Sequence, residues 1–277
     1  MRGCPFNYHF CSVTRFYGGK YRFKPLEIIK KEIESFNKKT IFIVDDNLIG
    51  FGKIAEKRTI QLLKLLNEYD LTWMGQASVN VAENDKILRL ANESGCVFLF
   101  LGFESINREF LSSVNKKINL KRGVDSYNSI IDKIHDYGIN VMGSFIIGSD
   151  FDTKENLLDL KQFIIESGID IPNLTILTPY PGTILYQELL DQKRLFNNNW
   201  WLEDPLPLFT FKPRNLKIKE LATIYYNLIT SLNGLKFSIK RFFNSLIKNH
   251  SLKNSMFTLT ENLINGNNFK QALINNF

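Results

Sequence analysis

Val97-Phe98-Leu99-Phe100-Leu101-Gly102-Phe103-Glu104-Ser105 is an unbroken apolar run that ends in a carboxylate and a hydroxyl. A run without alternation predicts a strand covered on both faces, as in a parallel sheet. Reading outward, the same pattern recurs at Ile41-Phe42-Ile43-Val44, Leu71-Thr72-Trp73-Met74, Val141 to Ile147 and Leu174 to Leu177. Between these runs lie amphipathic segments. Leu26, Ile29, Ile33 and Phe36 follow Pro25, and Ile60, Leu63 and Leu66 repeat the spacing. Ile87, Leu88 and Leu90-Ala91 precede Gly95; Tyr127, Ile130, Ile131 and Ile134 precede Gly138; Leu157, Leu160, Phe163 and Ile164 precede Gly168. Apolar residues at helical spacing, closed by glycine, predict helices. Repeated strand-then-helix units with right-handed crossovers predict the α/β class, curled into a barrel or part of one.

Composition narrows the function classes. At 277 residues and 44% hydrophobic, the chain has room for one large α/β domain and a smaller appendage. It contains no run of about eighteen apolar residues and opens without a signal-peptide block, so no transmembrane segment and a cytoplasmic location are expected. Three cysteines, Cys4, Cys11 and Cys96, are too few and too unevenly spaced for a disulfide framework. Cys96 reads as a small apolar packing residue. Residues 201–277 carry ten Lys or Arg against four Asp or Glu, so most of the net charge of +7 belongs to the tail. Its lysines are interleaved with Asn, Ile and Phe in no recognition motif, and no nucleic-acid partner is expected.

Ligands of parallel α/β barrels bind at the carboxyl ends of the strands, so the residues just after each apolar run are the candidates. They are Asp45-Asp46-Asn47, Gly75-Gln76-Ala77-Ser78, Gly102-Phe103-Glu104-Ser105, Gly148-Ser149-Asp150 and Thr178-Pro179-Tyr180-Pro181-Gly182-Thr183. Asp46 or Asn47 could instead cap the following helix, and the last stretch could be a rigid turn only. His135 and His250 fall in helical segments and read as surface or core residues. At the other end of the chain lies Cys4-Pro5-Phe6-Asn7-Tyr8-His9-Phe10-Cys11. A C-x3-C-x2-C loop would present three thiolates to a four-iron cluster and leave one iron free. Here Tyr8 stands at the middle position.

Together these stretches resemble the radical S-adenosylmethionine (SAM) superfamily, in the branch whose members usually carry an N-terminal cobalamin-binding domain. The resemblance rests on Arg2 to Asn7, His9-Phe10-Cys11-Ser12, Val44 to Asn47, Gly75 to Ser78, Gly102 to Ser105, Phe145 to Gly148 and Leu177 to Thr183, and covers residues 1–215. It implies a partial (β/α)6, TIM-like barrel in which SAM chelates the free iron of a 4Fe-4S cluster and is cleaved to methionine and a deoxyadenosyl radical. It implies Cys4 and Cys11 as cluster ligands, with Tyr8 at the missing ligand position, and Phe10 beside the adenine. Asp45, Asp46 and Asn47, with Gln76 and Ser78, fall where the family approaches SAM's amino group; Glu104 and Ser105 where it approaches the ribose or amino group; Ile146 and Gly148 at the adenine edge.

The implied reaction is methylation or rearrangement of an unactivated carbon on an organic, even lipidic, substrate, with ferredoxin or flavodoxin as electron donor. Two departures qualify it. A phenol is a harder donor than a thiolate and ordinarily keeps its proton up to about pH 10, so the cluster is expected to bind weakly and activity to be impaired. The alternative is a non-catalytic pseudoenzyme that binds SAM or a partner as a scaffold; a zinc site from Cys4, His9 and Cys11 is a third reading. The chain also enters the cysteine loop directly from Met1, so the first strand is expected to be truncated and the cobalamin domain absent. Residues 216–277 are expected to form a basic, Asn-rich helical extension, in the position of the family's substrate-covering cap.

Overall fold

Each apolar run forms a strand: β1 (Thr40–Ile43), β2 (Thr72–Ala77), β3 (Cys96–Glu104), β4 (Asn140–Ile147) and β5 (Ile171–Ile176). The computed structural model describes residues 1–249 and 251–274, so His250 and residues 275–277 lie outside the described residues. The strands are all parallel and paired in the order β1-β2-β3-β4-β5, a curled half-barrel. Two helices precede the sheet, α1 (Ser12–Tyr17) and α2 (Leu26–Ser35). Between the strands run α3 (Lys53–Leu66), α4 (Asp85–Glu93), α5 (Arg108–Ser113), α6 (Lys117–Arg122), α7 (Tyr127–His135) and α8 (Lys154–Glu166). After β5 come α9 (Ile184–Asp191), α10 (Ile218–Leu232), α11 (Leu235–Asn249) and α12 (Leu252–Ile274). Among the described residues no helix is long and apolar enough to cross a membrane.

The period of two sorts each strand onto two faces. Residues such as Trp73, Leu99, Leu101, Phe103, Val141, Phe145 and Ile147 join the main core with the helix residues Leu63, Leu66, Leu88, Ile131 and Leu160. Cys96 is buried in that core, as a packing residue should be. At the lower end of the other face Met74, Phe98 and Met142 meet Phe257 of α12. Higher up it carries Gln76, Phe100, Gly102 and Glu104, which line a cavity. Two of the expected strand-end stretches therefore lie inside strands: β2 continues through Gly75, Gln76 and Ala77, and β3 through Glu104. Ladder pairing is made by backbone groups, so polar side chains interrupt the apolar pattern without interrupting the strand.

Helices α11 and α12 close the floor of the half-barrel. The Asn140 side chain, on the first residue of β4, donates to Ser245 and Thr258 at 3.0 and 2.6 Å. Asn262 donates to the Asp170 carbonyl, just before β5, at 2.8 Å, and Asn254 to the Gly138 carbonyl at 2.9 Å. Lys253 donates to Thr72 at the start of β2, and the Phe257 and Phe98 rings lie 5.0 Å apart. All of these contacts are at amino ends of strands, so α12 does not occupy the substrate-covering place expected of the extension. His135, at the end of α7, is buried and paired with Asp170 at 2.8 Å beneath the sheet, remote from the strand mouths.

Candidate functional site

The cysteine loop lies across the carboxyl ends of β2 and β3, and its backbone is fixed from several sides. His9 N donates to the Val114 carbonyl at 3.0 Å, Leu185 N to the His9 carbonyl at 3.0 Å, and the Asn115 amide to the Asn7 carbonyl at 2.9 Å. Gly3 N donates to the Asp46 carboxylate at 2.8 Å, and Thr14 Oγ1 to the Cys4 carbonyl at 3.0 Å. Beneath the loop is a cavity of about 280 Å³. Cys4, Tyr8, Phe10 and Cys11 line it from above; Asp46, Asn47, Gln76, Ser78 and Glu104 line it from the strand ends.

Neither Asp46 nor Asn47 caps a helix. The N-cap of α3 is Gly52, and Asp46 is engaged by the loop. The Asn47 side chain donates to Tyr21 and Ser78, both at 3.3 Å, while its carbonyl oxygen is buried without a partner. A buried acceptor left over in a cavity wall is free to take a ligand's donor.

Other expected site residues stand apart. Asp45 pairs with the Met1 amino group and lines a different cavity, because adjacent residues at a strand end point to opposite sides. Ser105 is buried, and its hydroxyl accepts from Asn107 N at 2.9 Å, holding a turn. Ile146 packs with Phe10, Leu177 and Phe211 in an apolar cluster beside the loop. Gly148 N donates to Asp152 at 2.6 Å. The stretch from Thr178 to Thr183 caps α9 through the Thr183 hydroxyl, which accepts from Tyr186 N at 3.2 Å. His9 lines a second cavity of about 420 Å³ with Phe110, Phe151 and Arg214.

Lys116 is a cavity residue that the sequence concealed. It is buried, pairs with Glu104 at 2.7 Å, and holds its ammonium 4.1 Å from the centre of the Tyr8 ring. Glu104 has a left-handed backbone, φ 65°, where the β3–β4 register shifts. A non-glycine residue persists there only when its surroundings hold it, and the Lys116 pair does so. Gly102 leaves the necessary room: a Cβ there would overlap Glu104 Oε1 and crowd Lys116 Nζ.

The donor set decides whether an iron–sulfur cluster fits. Cys4 and Cys11 are free thiols on one cavity, while Cys96 is buried elsewhere in β3. Among the described residues no three His, Cys, Asp or Glu side chains are grouped to hold a metal. The cavity therefore offers two thiols, not three; the Tyr8 phenol and the Asp46 and Glu104 carboxylates share its wall. Burial pushes the Tyr8 pKa far up, as do the neighbouring charges of Cys4, Glu104 and Cys11.

Burial likewise raises both loop thiols above the ordinary cysteine value. Protons hold such groups neutral until the pH reaches the raised pKa, so iodoacetamide should modify Cys4 and Cys11 near pH 7.5 several-fold more slowly than a free thiol. The rate should climb roughly tenfold per pH unit toward the raised pKa. Cys96, fully buried, should react only after unfolding. Peptide mass spectrometry after timed alkylation measures all three, and free-thiol rates at Cys4 and Cys11 would contradict the burial argument.

Residues 1–164 match the profile of the Radical SAM superfamily. Bacteriochlorophyllide d C-12(1)-methyltransferase of Chlorobaculum tepidum is 28% identical over 82% of this chain and 49% of its own. The C-8(2)-methyltransferase of the same organism is 29% identical over 96% and 65% respectively. Hopanoid C-2 methylase of Rhodopseudomonas palustris is 31% identical over 71% and 38%. The chain thus spans about half the length of the curated relatives it matches. Among solved structures, TsrM from Kitasatospora setae with cobalamin and a [4Fe-4S] cluster bound superposes with TM-score 0.60 at 16% identity, over 69% of this chain and 38% of that one. OxsB with aqua-cobalamin and S-adenosylmethionine bound gives 0.61 at 14%, over 96% and 45%. At those identities the likeness is one of fold.

Proposed function

The chain belongs to the radical SAM superfamily, and from that premise we propose that it methylates an unactivated carbon of a large apolar substrate, using SAM and an iron–sulfur cluster bound at the loop. The observation that carries this reading is the convergence of Cys4 and Cys11 with Asn47, Gln76, Ser78 and Glu104 on one cavity at the strand ends. When bound, such a cluster would supply the single electron that splits SAM.

The chain's own residues bind and orient. Asn47, whose carbonyl oxygen has no partner, accepts from SAM's amino group. Glu104, fixed by Lys116, faces the same cavity and accepts from a ribose hydroxyl or the amino group. The apolar cluster of Phe10, Ile146 and Leu177 excludes water from the adenine side. A ferredoxin or flavodoxin would deliver the electron, and cobalamin, bound in the TsrM and OxsB structures, would be the methyl carrier.

The apolar substrate is supported by the names of the relatives, which act on bacteriochlorophyllide and hopanoids. An open apolar groove of about 820 Å³ between the 205–209 segment and α10 is consistent with it. Tyr8 makes the cluster weaker than one held by three thiolates, so turnover is lower than Tyr8→Cys would give.

Anaerobic incubation of the iron- and sulfide-reconstituted chain with SAM and dithionite tests this. Deoxyadenosine and methionine should form in equal amounts, more in Tyr8→Cys, and disappear in Cys4→Ala/Cys11→Ala. Deoxyadenosine that persists without both thiols, or that is missing from both the native chain and Tyr8→Cys, sinks the reading.

A further inference from the structure

Helix α11 is built inside out. Leu235, Ile239, Phe243 and Ile247 recur at every fourth position and so form one stripe along the helix, and all four are 42–68% exposed. The buried face carries Ser238, Arg241 and Ser245, none more than 6% exposed. A helix on the surface of a globular domain has the opposite arrangement, apolar face inward and polar face to solvent. The inversion follows from what α11 packs against. Ser245 accepts from Asn140, the first residue of β4, and from Ser255 of α12, while Arg241 donates to Asn262. The apolar stripe therefore lies on the side of α11 turned away from the sheet. Helix α12 repeats the pattern, with Ser255, Thr258 and Asn262 buried and Met256, Leu263 and Ile264 exposed. One exposed leucine is ordinary, but a one-sided apolar surface on two paired helices calls for a partner.

Charge decides which partner fits. The helix carries Lys236, Lys240, Arg241 and Lys248 and no Asp or Glu. Lys248 is engaged by Asp132, whereas Lys236 and Lys240 are exposed and form no ion pair with a described residue. These two lysines stand two turns before Phe243 and Ile247, on the same side of the helix. A second copy laid on the stripe by a two-fold axis would bring like-charged patches together, because such a contact uses the same surface on both sides. An anionic bilayer suits both features. Its acyl boundary takes the stripe, and its headgroups take ammonium ends that reach past the stripe on long stems. The 15 residues of α11 span about 22 Å, less than a hydrocarbon core of about 30 Å, so the helix would lie in the interface and not across it. We propose that the outer face of α11 docks the protein on an anionic lipid bilayer, with Leu235, Ile239, Phe243 and Ile247 entering the headgroup boundary and Lys236 and Lys240 meeting the lipid phosphates. Docking of this kind uses no residue of the cysteine loop.

Co-sedimentation tests this, using the whole chain with vesicles of phosphatidylcholine alone or mixed equally with phosphatidylglycerol. The native chain should bind the mixed vesicles, bind phosphatidylcholine about tenfold more weakly or worse, and be released by added salt, which screens the charges. Ile239→Ser/Phe243→Ser should weaken binding about tenfold or more. Lys236→Gln/Lys240→Gln should weaken it about fivefold per lysine. All four positions are exposed, so the thermal unfolding midpoints should stay close to the native one. Phe243→Trp gives a second reading that needs no serine variant to fold. Its emission should move to the blue when mixed vesicles are added, beyond any change in the native chain's own tryptophans. The proposal is overturned by absence of binding to mixed vesicles, by equal binding to both lipids, by undiminished binding in the folded serine variant, or by an unshifted Phe243→Trp. Light scattering identifies the other occupant: a native dimer that becomes a monomer in Ile239→Ser/Phe243→Ser, with no vesicle binding by either, assigns the stripe to a second copy and overturns the bilayer.

Discussion

Removing residues 250–277 is expected to unfold the half-barrel instead of leaving a competent SAM-binding core. The floor residues Val97, Phe98 and Ile171 are 5%, 2% and 0% exposed, and Phe257 packs on them from α12. Full exposure of a large apolar side chain costs about 1.5–3 kcal/mol. Loss of α12 also removes hydrogen bonds from buried groups: the Asn140 amide loses Thr258, the Asp170 carbonyl loses Asn262, and the Arg241 guanidinium loses Asn262 at 3.1 Å. Burial already lowers the Arg241 pKa to about 10, so the loss of one of its acceptors is poorly tolerated. Several such losses together rival the whole stability of a typical domain, about 5–15 kcal/mol. Thermal unfolding by circular dichroism, with soluble yield, measures the effect; a truncated chain melting within a few degrees of the intact one would refute it. Phe257→Ala is the milder version, expected to cost about 3 kcal/mol.

Lys116→Met is the second large effect. Methionine keeps the length of the side chain but leaves the Glu104 carboxylate buried without its cation. Removing one partner of a buried pair costs about 3–5 kcal/mol, far more than an exposed pair is worth. The side chains of the pair are 6% and 11% exposed, so solvent offers little relief. Glu104 also loses the contact that holds its left-handed backbone. Glu104→Gln alone should destabilise by a similar mechanism in the opposite sense, leaving an ammonium unpaired. The double variant should recover much of the loss, giving a coupling of 1 kcal/mol or more. Urea unfolding of the four proteins measures the cycle. A single variant within about 1 kcal/mol of the native chain, or strictly additive losses, would show that the pair is solvated.

The parts of this molecule that were legible in the sequence are those governed by one-dimensional pattern. Val97 to Leu101 and its four counterparts are strands because unbroken apolar runs have few other ways to be buried. The loop thiols were legible because Cys4 and Cys11 carry their chemistry in their spacing. Lys116 was hidden because nothing local distinguishes it from Lys117; only the turn through α5 brings it back over the mouth of β3. The place of α12 was hidden for a related reason. Its buried face, including Ser255, Thr258 and Asn262, is polar, so hydrophobic periodicity is missing although burial is not. Asp45 and Asp46 differ by one position and by the side of the strand end on which they fall. That difference depends on where the strand stops, and composition is blind to it.

Strand order in the sheet follows the order of synthesis, and this gives the chain a timetable. Each strand from β2 onward can pair with its predecessor as soon as it leaves the ribosome, because no earlier strand waits for a distant one. The floor obeys a different clock. Lys253 reaches Thr72 across a separation of 181 residues, so β2 and β3 stand with an open apolar underside until α12 has been made. During that interval Phe98 and Ile171 face water or another chain. A growing polypeptide of this kind should be a chaperone client until α12 emerges, and slowed elongation ahead of α12 should lengthen the period in which it aggregates.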